Sequence, residues 1–217
     1  MPEAYKFTYS LLQAAEHGVP QKRQRFFLVA RKRKAVKSLD GIPKESKELT
    51  VRDAISDLPF LDNGDAQGYL PYRMAPASSY AKSLRGSLEE CEGHLVTRNA
   101  PHIVERYPHI PSGGNWSDIP EHLMGSYKDR TRCHSGIYHR LSEDRPSIVL
   151  GNFRKNMLIH PTQHRELSVR EAARIQSFPD HYKFSGSIGL QQQQVGNAVP
   201  PRLAEAVFSF IVRQNLA

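Results

Sequence analysis

Glu16-His-Gly-Val-Pro-Gln-Lys-Arg-Gln-Arg-Phe-Phe-Leu-Val29 is the stretch on which the fold turns. It runs on as Arg25-Phe-Phe-Leu-Val-Ala-Arg31, a continuous apolar run of strand length, of the kind buried on both faces. Upstream, Tyr5, Phe7, Tyr9 and Leu11 alternate with polar residues, the period of a half-buried strand. The turn-rich His17-Gly-Val-Pro20 lies between them, so a long antiparallel hairpin is expected. The basic cluster Arg31-Lys-Arg-Lys34 ends it.

Outward from the hairpin, Thr50 to Leu58 carries a helix signal, with Thr50 as N-cap, Val51, Ala54, Ile55 and Leu58 on one stripe, and Pro59 as the stop. From Leu61 to Glu143 the chain is rich in Gly, Pro, Ser, Asn, Tyr and His and has few periodic runs, which reads as a small loop-dominated domain. Pro146-Ser-Ile-Val-Leu-Gly151 has the composition of a short strand. Two core-facing helices are then expected. One runs from Ser168 to Phe178 and opens with the capping box Ser168-Val-Arg-Glu171; the other starts after Val199-Pro-Pro201 and puts Leu203, Val207, Phe210 and Ile211 on one face. The order gives three ranges: 1–60, 61–145 and 146–217.

Across 217 residues, 30 Lys and Arg stand against 22 Asp and Glu, a formal charge of +8 that favours an acidic partner. With 39% hydrophobic and 24% charged residues, neither a disordered tail nor a membrane-embedded chain fits. No apolar run approaches the ~20 residues that span a bilayer, and the start of the chain lacks a signal-peptide pattern, so a cytoplasmic protein is expected. Cys91 and Cys133 stand alone, which argues against a disulfide framework and against a zinc cluster.

Three segments could carry chemistry. In the first, a strand period of two places Gln21, Arg23 and Arg25 on one face, where guanidiniums can grip phosphate oxygens or donate to the carbonyl edge of a base. A solvated basic turn is the alternative. In the second, Gly196 and Asn197 closely precede a helix N-terminus, which favours an anion, and Gly196 would let a ligand approach the backbone. An ordinary capped loop is the alternative. In the third, Arg165 to Arg174 reads best as a structural helix carrying surface arginines.

Together, Glu16 to Val29, Arg165-Glu-Leu-Ser-Val-Arg-Glu-Ala-Ala-Arg-Ile-Gln-Ser-Phe-Pro-Asp180 and Gln194-Val-Gly-Asn-Ala-Val-Pro-Pro201 resemble the last three signature blocks of cytosine-5 DNA methyltransferases, in order and in spacing. The loop-rich stretch between the first two resembles that family's variable target recognition domain. The resemblance implies an α/β fold: part of a Rossmann-like S-adenosylmethionine-dependent methyltransferase domain, plus a small mixed recognition domain. It implies a reaction in which a cytosine is flipped out of the duplex, a cysteine thiolate adds to ring carbon 6, and carbon 5 receives a methyl group from S-adenosyl-L-methionine.

By matching position, Arg25 would hydrogen-bond the carbonyl oxygen of the flipped base, with Gln21 and Arg23 helping to hold Arg25 and the DNA backbone. Gly196, Asn197 and Ala198 would border the methionine part of the cofactor, in a partial site, and Arg170 would brace the recognition domain. Double-stranded DNA is the implied partner. Candidate contacts are Lys22, the loops holding Gly113, Gly114, Asn115 and His134, and the phosphate-binding candidates Lys128, Arg130, Arg132 and Arg140; loops that merely fold the domain are the alternative. The family's glycine-rich cofactor loop, Pro-Cys nucleophile loop and Glu-Asn-Val strand lie ahead of the first block, and only Met1 to Pro20 precede Gln21 here. The expectation is a C-terminal half that acts with an N-terminal half or subunit and is inactive alone. A stand-alone DNA-binding module and an inactive fragment are the alternatives. An isolated chain would expose an apolar edge and self-associate.

Overall fold

The computed structural model describes residues 5–32, 34, 36–125, 136–151 and 153–216. The hairpin forms as expected. Strand β1 (Tyr5–Gln13) pairs antiparallel with β2 (Gln24–Lys32) through a continuous nine-pair register from Tyr5↔Lys32 to Gln13↔Gln24. A 3-10 turn over Ala14–His17 joins them, ending on Gly18 at φ 71°, a left-handed conformation suited to glycine.

Burial of the hairpin departs from expectation. Leu12, Phe27 and Val29 face inward, whereas Tyr5, Phe7, Tyr9, Leu11, Phe26 and Leu28 lie on the opposite face, each 58–64% exposed. The run in β2 is therefore covered on one face only, and the alternating aromatics of β1 mark the open side. The apolar composition is nonetheless suited to cover on both faces.

Helix α1 (Val51–Ile55) is held by the Thr50 and Asp53 capping box, and its apolar stripe is buried. The middle of the chain folds from short pieces: β3 (Ala66–Gln67), β4 (Leu70–Pro71), α2 (Ser79–Arg85), β5 (Glu90–Cys91), β6 (His94–Leu95) and α3 (Pro101–Val104). Pairs β3–β6 and β4–β5 are antiparallel two-residue ladders. Pro146–Gly151 does not form the expected strand; Ser147 makes a single parallel bridge with Gln21. Helix α4 (Phe153–Asn156) follows.

Helix α5 (Val169–Ile175) has the expected Ser168 and Glu171 capping box, and all seven residues are buried. It stops short of Phe178 because Ser177 turns to φ 67°. The sequence reading did not anticipate α6 (Ile188–Asn197), whose polar Gln191–Gln194 stretch hides the helical period. Helix α7 (Pro201–Leu216) carries Leu203, Val207, Phe210 and Ile211 on one inward face, as expected, and that face packs against the inner side of the hairpin. A second cluster joins α1, α2, α5 and α6 through Ala54, Leu84, Ala173 and Val195, and a third forms around Tyr107, Ile110, Met124 and Tyr138.

The arginines of the third segment are not on the surface. Arg165, Arg170 and Arg174 are 0–1% exposed. Arg165 grips Glu171 bidentately at 2.9 and 2.7 Å, and Arg174 reaches Asp57 at 2.9 Å and Asp180 at 2.7 Å. Arg170 donates to Glu92 O at 2.7 Å and Tyr182 O at 2.9 Å. A seven-residue helix buried on every side can carry Arg170 and Arg174, with Arg165 just ahead of it, only where acids and carbonyls meet them, and here they do. Among the described residues, no helix is long and apolar enough to cross a membrane.

Candidate active-site edge

The hairpin leg approaches the α6–α7 junction with alternating side chains. Gln21 and Arg23 are buried, Lys22 and Gln24 are exposed, and Arg25 is half-buried, so period two does place Gln21, Arg23 and Arg25 on one side. Lys22 N and Ser147 O, 2.8 Å apart, and Ser147 N and Pro20 O, 2.9 Å apart, fix the start of this leg.

Arg23 is a tie between segments. It donates to Leu150 O at 3.3 Å, Gly196 O at 2.5 Å and Ala198 O at 3.1 Å. At 2% exposure it cannot grip a DNA backbone, as the sequence reading had allowed; it secures the protein's own carbonyls. Gln21 is fully buried, and neither atom of its side-chain amide has a hydrogen-bond partner. Arg25 donates to Gln24 O at 3.0 Å and to Ala198 O at 3.4 Å and keeps part of its guanidinium open. Partial burial lowers its pKa, yet a guanidinium stays protonated throughout the physiological range.

On the other side of the edge, Gly196 and Asn197 form the last turn of α6 and are not a loop ahead of a helix; Ala198 to Pro200 make the link to α7. A Cβ on Gly196 would run into the carbonyl of Gly151. The close approach that glycine permits is therefore made by the chain's own backbone, and not by a ligand. Asn197 is exposed, Ala198 half-buried and Val199 40% exposed, at the positive end of a 16-residue helix. Asn197 and Ala198 are the residues of this edge that could border a cofactor carboxylate.

Two residues that sequence reasoning missed complete this edge. Gln176 Nε2 donates to Val195 O at 2.5 Å, and Ser177 Oγ accepts from Arg202 N at 3.1 Å. Their signal was modest: two polar residues between the end of an amphipathic helix and a proline.

Arg140, expected at a phosphate, is 4% exposed. Nε donates to Ile110 O at 2.7 Å, Nη1 to His160 O at 2.7 Å and Gln163 O at 3.0 Å, and Nη2 to Tyr107 O at 2.8 Å and His164 Nδ1 at 3.1 Å. All five N–H groups are used within the fold, so Arg140 is a structural strut and not a DNA contact. Gly113 (φ 77°) and Gly114 shape a loop in which Asn115 Oδ1 accepts from Ser117 N at 2.9 Å and Asp118 Oδ2 from Asn115 N at 2.9 Å. Lys128, Arg130, Arg132, Cys133 and His134 lie outside the described residues. Cys91 is buried, and burial pushes its thiol up to about 11, the state of an inert structural cysteine.

Residues 2–213 match the C-5 cytosine-specific DNA methylase family. The chain belongs to that family. It is 32% identical to the type II methyltransferase M.DdeI of Desulfomicrobium norvegicum, over 94% of this chain and 53% of that protein. It is 34% identical to the type II methyltransferase M1.HphI of Haemophilus parahaemolyticus, over 97% of this chain and 49% of that protein. Mouse DNA (cytosine-5)-methyltransferase 1 is 27% identical over 94% of this chain and 18% of its own length. The chain thus spans about half the length of the bacterial relatives. A crystal structure of a prophage-encoded DNA modification methyltransferase of Escherichia coli superposes with a TM-score of 0.77 at 22% identity, covering 98% of this chain and 62% of that one, and so shares its fold.

Proposed function

We propose that this chain is the DNA-recognition and sheet-completing half of a DNA (cytosine-5-)-methyltransferase. It acts with an N-terminal half that carries the nucleophilic cysteine and most of the S-adenosylmethionine site, in the same polypeptide or as a separate subunit. Residues 61–145 serve as the target recognition domain. The flanking ranges 1–60 and 146–217 complete the Rossmann-like catalytic domain.

The observation that carries this reading is the meeting of Arg25 and Ala198. Residues 173 positions apart, from the first and last signature blocks, stand 3.4 Å apart at one edge, with a partly open guanidinium on one side and the exposed Asn197 and Val199 beside the start of α7 on the other. Arg25 donates to the carbonyl oxygen of a cytosine flipped into the site and stabilises the negative charge that develops there when the partner's thiolate adds to carbon 6. Arg23 and Gln21 position the leg that carries Arg25. Asn197 and Ala198 border the methionine end of S-adenosylmethionine, which supplies the methyl group, and the α7 N-terminus favours its carboxylate. Lys22, exposed beside this edge, contacts the duplex, with Gly113, Gly114, Asn115, Arg130, Arg132 and His134 contributing from the recognition loops.

The open face of β1 and β2 is where the N-terminal half packs, and its apolar character supports an interior position in the assembled enzyme. The type II names of two relatives support a restriction-modification setting. The test is transfer of labelled methyl from S-adenosylmethionine to mixed-sequence duplex DNA, by the chain alone and with the N-terminal half of a related enzyme shown to be folded and to co-purify with it. Incorporation only with the partner is expected. No incorporation by the assembled pair overturns the reading, and salt-sensitive, sequence-selective duplex binding by the chain alone would then identify a DNA-binding module.

A further inference from the structure

The segment that joins α6 to α7 is held more firmly than a connector requires. Gln176 takes the Val195 carbonyl, Arg23 takes those of Gly196 and Ala198, Ser177 takes the Arg202 N–H, and the backbone at Gly151 fills the space that Gly196 leaves. Two consecutive residues just past the end of α5 therefore grip both ends of the junction. Because Pro200 and Pro201 offer no capping side chain, the cap on Arg202 N comes from a different element, which links the start of α7 to the end of α5.

Both residues carry a local penalty. Gln176 Oε1 is buried without a partner, and Ser177 sits at φ 67°, a conformation that glycine adopts more readily. An apolar residue at 176 would avoid the unpartnered amide oxygen and glycine at 177 the left-handed strain, each at the loss of one hydrogen bond to the junction. Local features retained against stability, next to a candidate site, point to a role in that site.

We propose that Gln176 and Ser177 are positioning residues for the cofactor edge. They set the backbone of Val195–Arg202 so that Asn197 and Ala198 meet the cofactor at a fixed distance from Arg25. This inference rests on the reading of Asn197 and Ala198 given under the proposed function. Neither residue touches the reacting atoms; each acts through the junction it holds.

The test uses the assembled pair of halves and four variants. Ser177→Gly removes the hydroxyl while easing the backbone, Ser177→Asn tolerates the left-handed conformation and restores an acceptor, Gln176→Met keeps the shape without the donor, and Asn197→Ala removes a side chain from the edge itself. Measured quantities are KM for S-adenosylmethionine, kcat, Kd for S-adenosylhomocysteine by calorimetry, Kd for duplex DNA, and Tm. Ser177→Gly and Gln176→Met are expected to raise the cofactor KM and the S-adenosylhomocysteine Kd about tenfold, the scale of one buried hydrogen bond, with DNA affinity unchanged. Ser177→Gly should melt no lower than the parent, and Ser177→Asn should recover cofactor affinity. If the 176 and 177 variants alter Tm but leave cofactor binding intact, or weaken cofactor and DNA binding together, they only support the fold and the proposal fails. If Asn197→Ala also leaves cofactor affinity intact, the reading of the edge fails with it. A loss confined to Asn197→Ala preserves that reading and rejects only the positioning role.

Discussion

Arg25 and Arg140 show how far apart two arginines of one chain can stand in function. The guanidinium of Arg25 has one firm bond, to Gln24 O, and a longer one to Ala198 O, so donors remain for a base. Arg25→Ala in the assembled enzyme should lower kcat by two orders of magnitude or more, about what removal of one charge-stabilising donor costs. Nonspecific DNA affinity should hardly change, because one arginine in a chain of net charge +8 contributes little of the electrostatic attraction. An equal loss of binding and activity would refute the assigned role. Arg140→Lys should instead destabilise the fold by roughly 3 kcal/mol in denaturant titrations, because one ammonium cannot satisfy four carbonyls in three directions. No direct DNA phenotype is expected at that position.

Helix α5 is the element on which the buried charges converge, and acid should find it first. Burial by itself would raise the Glu171 carboxyl, but the paired Arg165 guanidinium outweighs it, together with His160 and the Ser168 N–H, and holds the group down at about 2. Burial pushes the His160 imidazole down to about 4, and its Nδ1 accepts from Thr162 N at 3.2 Å and Gln163 N at 3.1 Å, bonds that a proton would break. Both folded values lie below the unfolded ones, so both contributions are present at neutral pH and are lost on acidification. His160 loses its share from about pH 6.5 down through 4, and Glu171 from about 4.5 down through 2. Tm should therefore be nearly flat above pH 7 and fall in two stages below it. His160→Asn, which keeps an acceptor near the Nδ1 position, should flatten the upper stage. Asp57→Ala should cost ~3–5 kcal/mol, since it leaves the buried Arg174 with one carboxylate where it had two.

At the scale of the whole molecule, the dominant feature is a hairpin with one face against α7 and the other open. Tyr5, Phe7, Tyr9, Leu11, Phe26 and Leu28 form a contiguous apolar surface, with the Tyr9 and Phe26 rings 5.9 Å apart. Such a surface drives association until something covers it. Sedimentation of the isolated chain should show concentration-dependent self-association, and Tyr9→Lys with Phe26→Lys should reduce it. Addition of the N-terminal half should abolish it in the parent chain. A monodisperse parent monomer at high concentration would contradict an interior role for this face.

Local signals were legible in the sequence where side-chain pattern was strong, but not for the glutamine-rich α6, and the strand composition of Pro146–Gly151 misled. The hairpin and its alternation, the Thr50 and Ser168 capping boxes, the inward stripe of α7 and the family blocks all depend on residues a few positions apart, so spacing and side-chain type suffice. What escaped depends on contacts between distant segments. Arg140 reads as a surface cation until the carbonyls of Tyr107, Ile110, His160 and Gln163 surround it, and Arg165 and Arg174 read the same way until Glu171, Asp57 and Asp180 meet them. Gly196 reads as ligand access until Gly151 arrives from 45 residues upstream. Spacing and side-chain type alone are enough for the family, for the hairpin, α1, α5 and α7, and for the shared side of Gln21, Arg23 and Arg25. Only the tertiary structure decided which charges are buried and which stay free, because the free energy of a charge depends on what surrounds it and not on its neighbours along the chain.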